Sequence, residues 1–197
     1  MRARTRAGVV AVAAVLGLST VWSVSAAGEE RPAKSPKARS GSVPEEMHQL
    51  DFLLGSWRCP TTVTAPGSPS ETSVVVGTIK PVLGGAWYQW DALRLPNEQM
   101  PNKALSRWMI GGWNATDRTF TALYTDDRGT YGVEHTEPGA ASSGQAKFTG
   151  QYTMAKGKFT FIDEFTKVDD DHFRDVISAK DAGGNVVPAG SVECYRR

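Results

Sequence analysis

The sequence predicts an all-β fold: an antiparallel meander of about ten strands closed into a barrel, with a short N-terminal helix. Three observations carry this expectation. After Gly55 the apolar pattern changes from helical spacing to strict alternation and keeps it to the C-terminus. Between the alternating runs lie turn residues such as Gly84-Gly85, Asp126-Asp127-Arg128-Gly129, Pro138-Gly139 and Gly183-Gly184-Asn185. Ten twisted strands in one open sheet would leave two exposed edges, and closure removes both. A two-sheet sandwich is the alternative architecture. The barrel is favoured by the regular meander, by a helix able to stopper one end, and by two cysteines placed near the first and last strands.

The elements follow in order. Residues 1–27 carry Arg2, Arg4 and Arg6, then an apolar run from Ala7 to Val24, then Val24-Ser25-Ala26-Ala27. This is the pattern of a cleaved secretory signal peptide. Residues 28–43 are rich in charge, Pro and Ser and read as a disordered tether. The folded domain is expected over 44–197. It opens with a helix in which Ser42 and Glu45 form a capping box and Met47, Leu50 and Leu54 make the apolar stripe. Strands are expected at 57–64, 71–83, 86–95, 106–114, 118–126, 130–137, 146–154, 157–168, 172–180 and 185–195. The 96–105 loop is the longest connection and reads as a lid or a plain cover.

Composition excludes several functions. The chain of 197 residues holds 22 basic and 21 acidic side chains, a net charge of +1. Loss of the signal segment would leave it near −2. Such a balance is wrong for nucleic acid and gives no reason to coat a membrane after cleavage. The destination is the extracellular or cell-envelope space. Cys59 and Cys194, an even count in an oxidising compartment, are expected to form a disulfide if the first and last strands are neighbours; two buried thiols are the alternative.

Motifs for chemistry are sparse. His48, His135 and His172 share no metal-binding spacing, and no Gly-x-Ser-x-Gly is present. No metal is therefore expected. Asp169-Asp170-Asp171 reads as a solvated hairpin tip, and Asn114-Ala115-Thr116 as a turn before a glycosylation sequon. The informative polar residues are acids within apolar strand faces. Alternation puts Phe159, Phe161, Asp163 and Phe165 on one face and Phe173, Asp175 and Ile177 on another. Pairing Phe165 with Phe173 sets Asp163 opposite Asp175, with Arg94 or Arg107 as possible neutralising partners. Two inward acids repel, so one pKa should rise.

The run from His48 through Gly55-Ser56-Trp57 resembles the opening of calycin-like barrel families. With Val82-Leu83-Gly84-Gly85-Ala86-Trp87, with Ile110-Gly111-Gly112-Trp113 and with the Cys194-Tyr195-Arg196 ending, residues 45–197 resemble the bacterial family catalogued as domain of unknown function 1579. The resemblance implies a calycin-like barrel and no activity. Gly-x-Trp openings also occur in haem-binding nitrobindins, which makes His135, beside Tyr131 and Val133, a candidate haem ligand. Otherwise no cofactor is expected.

The function expected is non-enzymatic binding of an apolar or amphipathic small molecule. Trp87, Gln89, Trp108, Phe120, Tyr124, Phe161, Asp163, Phe173 and Asp175 are the candidate contacts. The same aromatics could fill a small barrel solidly. An isomerase, cyclase or hydrolase using Asp163 and Asp175 on a lipophilic substrate is the alternative.

Overall fold

The computed structural model describes residues 42–64 and 69–197. The proposed signal peptide and most of the tether lie outside the described residues. The chain forms a closed barrel of ten antiparallel strands. They are β1 (Gly55–Val63), β2 (Glu71–Val82), β3 (Trp87–Arg94), β4 (Ala104–Asn114), β5 (Thr119–Asp126), β6 (Tyr131–Thr136), β7 (Gln145–Met154), β8 (Gly157–Asp169), β9 (His172–Lys180) and β10 (Val186–Arg196). Each strand pairs with its sequence neighbours, and β1 pairs with β10 to close the seam. Cys59 and Cys194 are disulfide-bonded across that seam.

A 3₁₀ helix, Glu45–Leu53, stoppers one end. Its buried residues are Met47, Leu50 and Leu53. This corrects the expected stripe, which ended at Leu54. Three residues per turn put every third side chain on one face, so Leu53 points inward with Met47 and Leu50. The expected capping box is absent too: no side chain caps the helix, and the Met47 N–H bonds Pro44 O at 3.0 Å instead.

Below the helix lies the main apolar core, where Trp57, Phe120, Phe148 and Phe173 are fully buried. Trp57 donates its indole N–H to Leu53 O at 2.8 Å and packs edge-on against Phe173 at 4.8 Å. The Arg196 guanidinium lies 4.4 Å over the Trp57 ring and donates to Leu54 O at 3.1 Å. Gly55, at φ +133°, has its α-carbon against that guanidinium, where any Cβ would collide. The Gly55-Ser56-Trp57 turn and the Cys194-Tyr195-Arg196 ending are thus two halves of one joint between helix and seam.

The β8–β9 hairpin corrects the expected register. Phe165 faces Asp175 and Lys167 faces Phe173, because a bulge near Val168 lets the strands run on to a tight Asp170-Asp171 tip. The shift is two residues. Side-chain direction repeats every two residues, so both acids keep the inward face. Lys167 pairs with Asp170 at 2.6 Å and Arg196 with Asp171 at 3.1 Å, which accounts for the acidic tip. At the other turn, Asn114 Oδ1 accepts from the Thr116 and Asp117 N–H groups at 3.0 and 3.3 Å.

Among the described residues, no helix is long and apolar enough to cross a membrane.

Candidate functional site

Opposite the helix the barrel is open, and a cavity of about 470 Å³ runs in from that mouth. Its wall is an aromatic girdle contributed by alternate inward positions. Trp108 packs on Tyr124 at 5.1 Å, Tyr124 on Tyr152 at 5.5 Å, and Tyr152 on Phe161 at 5.2 Å. Phe165 packs edge-on to Trp108 at 6.4 Å. Trp90 and Ala92 of β3 complete the apolar lining. The residues 95–103 form a cover beside the mouth, tied to β2 by Asn97 Nδ2 donating to Thr72 O at 2.6 Å. Met100 of that cover lines the cavity and holds the Arg94 guanidinium, which also donates to Asn102 O at 3.4 Å.

At the cavity floor stand Asp163 and Asp175, only 2% and 4% exposed. Glu134 lies beneath them, 1% exposed and outside the cavity lining. Asp163 Oδ2, Asp175 Oδ1 and both Glu134 oxygens are buried without a fixed donor, so hydrogen bonds of Asp163 with Glu134 and Asp175 require a proton on one carboxyl of each pair. Burial pushes all three carboxyls above the usual carboxylate range. Repulsion from Asp163 adds to the rise at Glu134 and at Asp175. Arg107, one of the expected neutralising cations, is outside the barrel and bonds Asp91 at 2.6 Å. Arg94 is held in the mouth by the cover. Neither meets the acids.

Two strand glycines make this floor possible. Gly150 faces Glu134, and a Cβ there would collide with Val133 O and the Glu134 side chain. Gly132 faces Tyr152, and its Cβ would lie 2.7 Å from the phenol ring. The ring therefore lies flat on bare backbone, an arrangement that strand glycines permit. Gly132→Ala is expected to cost about 1–3 kcal/mol by overpacking. Urea unfolding of the variant measures it, and an unchanged midpoint would show that the ring has room to move.

The expected contacts divide three ways. Trp108, Tyr124, Phe161, Asp163 and Asp175 line the cavity. Phe120 and Phe173 point inward but belong to the closed-end core, packing on Trp113 and Trp57. Trp87 and Gln89 are corrected: on β3 the buried face is Tyr88, Trp90 and Ala92, so both lie on the outer wall, and Gln89 donates to Asp91 at 2.6 Å. His135 is likewise on the outer wall, against Thr121 Oγ1 at 3.1 Å, because β6 buries Gly132, Glu134 and Thr136. It does not face the cavity as a haem ligand there would. Glu134, Trp90 and Tyr152 escaped the sequence reading. The available signal was the pair of glycines, since glycine inside a strand marks a close approach by a neighbouring side chain.

Comparison with known proteins places the fold and the family. The crystal structure of Rv2717c from M. tuberculosis matches with a TM-score of 0.60 at 11% identity, over 79% of this chain and 99% of that one. At such identity the likeness shows the fold alone. Curated proteins yield no match. The model of the family described as "Protein of unknown function (DUF1579)" matches residues 43–191, so the barrel and its closing seam belong to a chain that is a member of that family.

Proposed function

We propose that the protein is a secreted, non-enzymatic barrel that takes a small apolar or amphipathic molecule into its cavity. The observation that carries this reading is the open cavity of about 470 Å³ with a contiguous aromatic wall. Sites of roughly 300–1,000 Å³ with apolar walls and a few convergent polar groups are the usual form of small-molecule sites. A solidly packed barrel would have used the same aromatics to fill the interior. Here they stand around a space. Secretion is supported by the sequence of residues 1–27 and by the disulfide, which suits an oxidising compartment.

The neutral dye N-phenyl-1-naphthylamine tests the reading. The purified protein should bind it with one site per barrel and a fluorescence rise. Ala104 is buried and lines the cavity near the mouth. Ala104→Phe should weaken the dye at least about tenfold by narrowing the entrance. Failure of the dye to saturate, or equal binding by a folded Ala104→Phe variant, would overturn the proposal.

A second reading, acid–base catalysis by Asp163 and Asp175, is favoured by their raised pKa values at a cavity floor. A bound lipophilic compound recovered chemically unchanged after prolonged incubation across the pH range would exclude it for that compound.

A further inference from the structure

We infer that the cavity takes an organic cation, with its ammonium head seated against Asp163 and Asp175 and its apolar body against the aromatic girdle. This rests on the binding reading above and specifies the ligand's chemistry.

Acid oxygens at the floor stand unpartnered, and the same cavity lining holds three unpartnered donors, Trp90 Nε1, Arg94 Nε and Tyr152 Oη. Asp163 and Asp175 line the cavity, and Asp163 Oδ2 and Asp175 Oδ1, buried behind its surface, have no partner outside the acid cluster. Both Glu134 oxygens, one layer deeper, lack partners too. Seated against ionised Asp163 and Asp175, a carbonyl or carboxylate ligand would set acceptor against acceptor. An alkylammonium brings three donors and a positive charge.

Among the described residues, no cation is among the groups that shift Asp163 and Asp175, although Arg94 and Lys156 line the same cavity. The groups that act on the two acids across the interior are Glu134 from β6, Tyr152 from β7, and each other from β8 and β9. Glu164 on the outer wall acts on Asp175 as a further negative charge. At the mouth, Arg128 pairs with Asp126 at 3.2 Å. Arg94 lines the same cavity, held at the mouth by Met100 and Asn102 O, with its Nε unpartnered. The charges of Asp163 and Glu164 act on Asp175, side-chain hydrogen bonds with Glu134 and Asp175 act on Asp163, and a buried carboxylate without a counter-ion carries a large desolvation cost.

The wall suits the same ligand. Aromatic faces attract ammonium groups through their quadrupoles, and Trp108, Tyr124, Tyr152 and Phe161 pack in sequence along the wall of the cavity that the acids also line. A metal ion is the poorer occupant. Among the described residues, no three His, Cys, Asp or Glu side chains are disposed to hold one.

Proton balance gives the inference its own signature. Burial favours the protonated form of both acids. An entering ammonium keeps its own proton and favours an ionised carboxylate beside it. One carboxyl O–H bond breaks, its proton leaves to solvent, and the ammonium–carboxylate pair replaces it.

The experiment compares decylammonium, 1-decanol and decanoate, each displacing N-phenyl-1-naphthylamine from the purified protein near neutral pH. Decylammonium should bind at least about tenfold more tightly than 1-decanol, and decanoate most weakly. Calorimetry in two buffers of different ionisation enthalpy should show release of up to about one proton per decylammonium bound. In the Asp163→Asn/Asp175→Asn variant the amine-over-alcohol ratio should fall below about threefold and the released proton should vanish. The amides match the shape of protonated acids, so the variant should fold, and its melting curve checks that it does. Equal binding of amine and alcohol without proton release, or preference for decanoate, overturns the cation and leaves the cavity reading standing. Dye binding that none of the three displaces overturns both.

Discussion

Replacing Cys59 and Cys194 together by Ala should lower the protein's stability by about 4–5 kcal/mol, with a melting temperature roughly 10–15 °C lower. The bond spans 135 residues and joins the two strands of the seam. Every other ladder in the barrel is made between strands consecutive in sequence. The β1–β10 ladder alone must bring together the two ends of the domain, and its loop entropy is correspondingly the largest. A covalent link removes that entropy from the unfolded chain in advance. Both cysteines are fully buried beside Trp57 and Val192, so the alanines leave a small apolar gap and no unpaired hydroxyl. Reduction of the wild-type protein by dithiothreitol should produce a similar fall, which separates the bond's contribution from the substitution's. A melting temperature within about 2 °C of wild type in both experiments would mean that the seam holds through its hydrogen bonds alone.

The β-architecture was legible in the sequence because period-2 alternation and turn chemistry are local signals. Each of the ten strands lies where alternation put it, with ends moved by one or two residues. Closure was legible through the regular meander, the stoppering helix and the positions of Cys59 and Cys194 near the first and last strands. What escaped depends on which face of a strand points inward. On β8 and β9 the apolar face is unambiguous, so Phe161, Asp163 and Asp175 were assigned inward despite a register error of two. On β3, Trp87 and Gln89 compete with Tyr88 and Trp90, and both faces offer an aromatic. On β6 the apolar face, Tyr131 and Val133, is the exposed one, at 56% and 44%. The buried face there carries Gly132 and Glu134, because Tyr152 and the acid fill the space that two missing side chains leave. That exchange is a relation between strands, and no single strand's pattern records it.

The same burial of Glu134, Asp163 and Asp175 should make the protein lose stability as pH rises from mildly acidic to mildly basic, the reverse of the usual carboxylate effect. Burial, joined by mutual repulsion at Glu134 and Asp175, lifts the folded-state pKa of all three above their unfolded values near about 4. The folded state therefore holds protons that the unfolded chain gives up. By linkage, the stability these groups support is fully present below about pH 4 and is lost progressively as pH climbs toward their folded pKa values. For Glu134 that window extends up to about 11. Each proton retained by the fold costs about 1.4 kcal/mol per pH unit, or about 4 kcal/mol between pH 5 and pH 8. That is a large share of the roughly 5–15 kcal/mol total of an ordinary domain. The acid limb comes from other residues. Burial pushes Asp126 up, but backbone N–H bonds from Thr130 and Arg128 outweigh it and hold its pKa below the usual range, so its contribution is lost as pH falls through that lowered value. Maximum stability is then expected near about pH 4–5. Asp163→Asn removes one titrating group and offers an amide donor to its neighbours, so the variant should be more stable than wild type at pH 8 and should show a shallower slope. Urea unfolding of both proteins at pH 5, 6.5 and 8 measures the slopes directly. A wild-type slope that is flat or positive over that range would show that the three acids ionise in the folded barrel, and that a cation inside the protein already answers them.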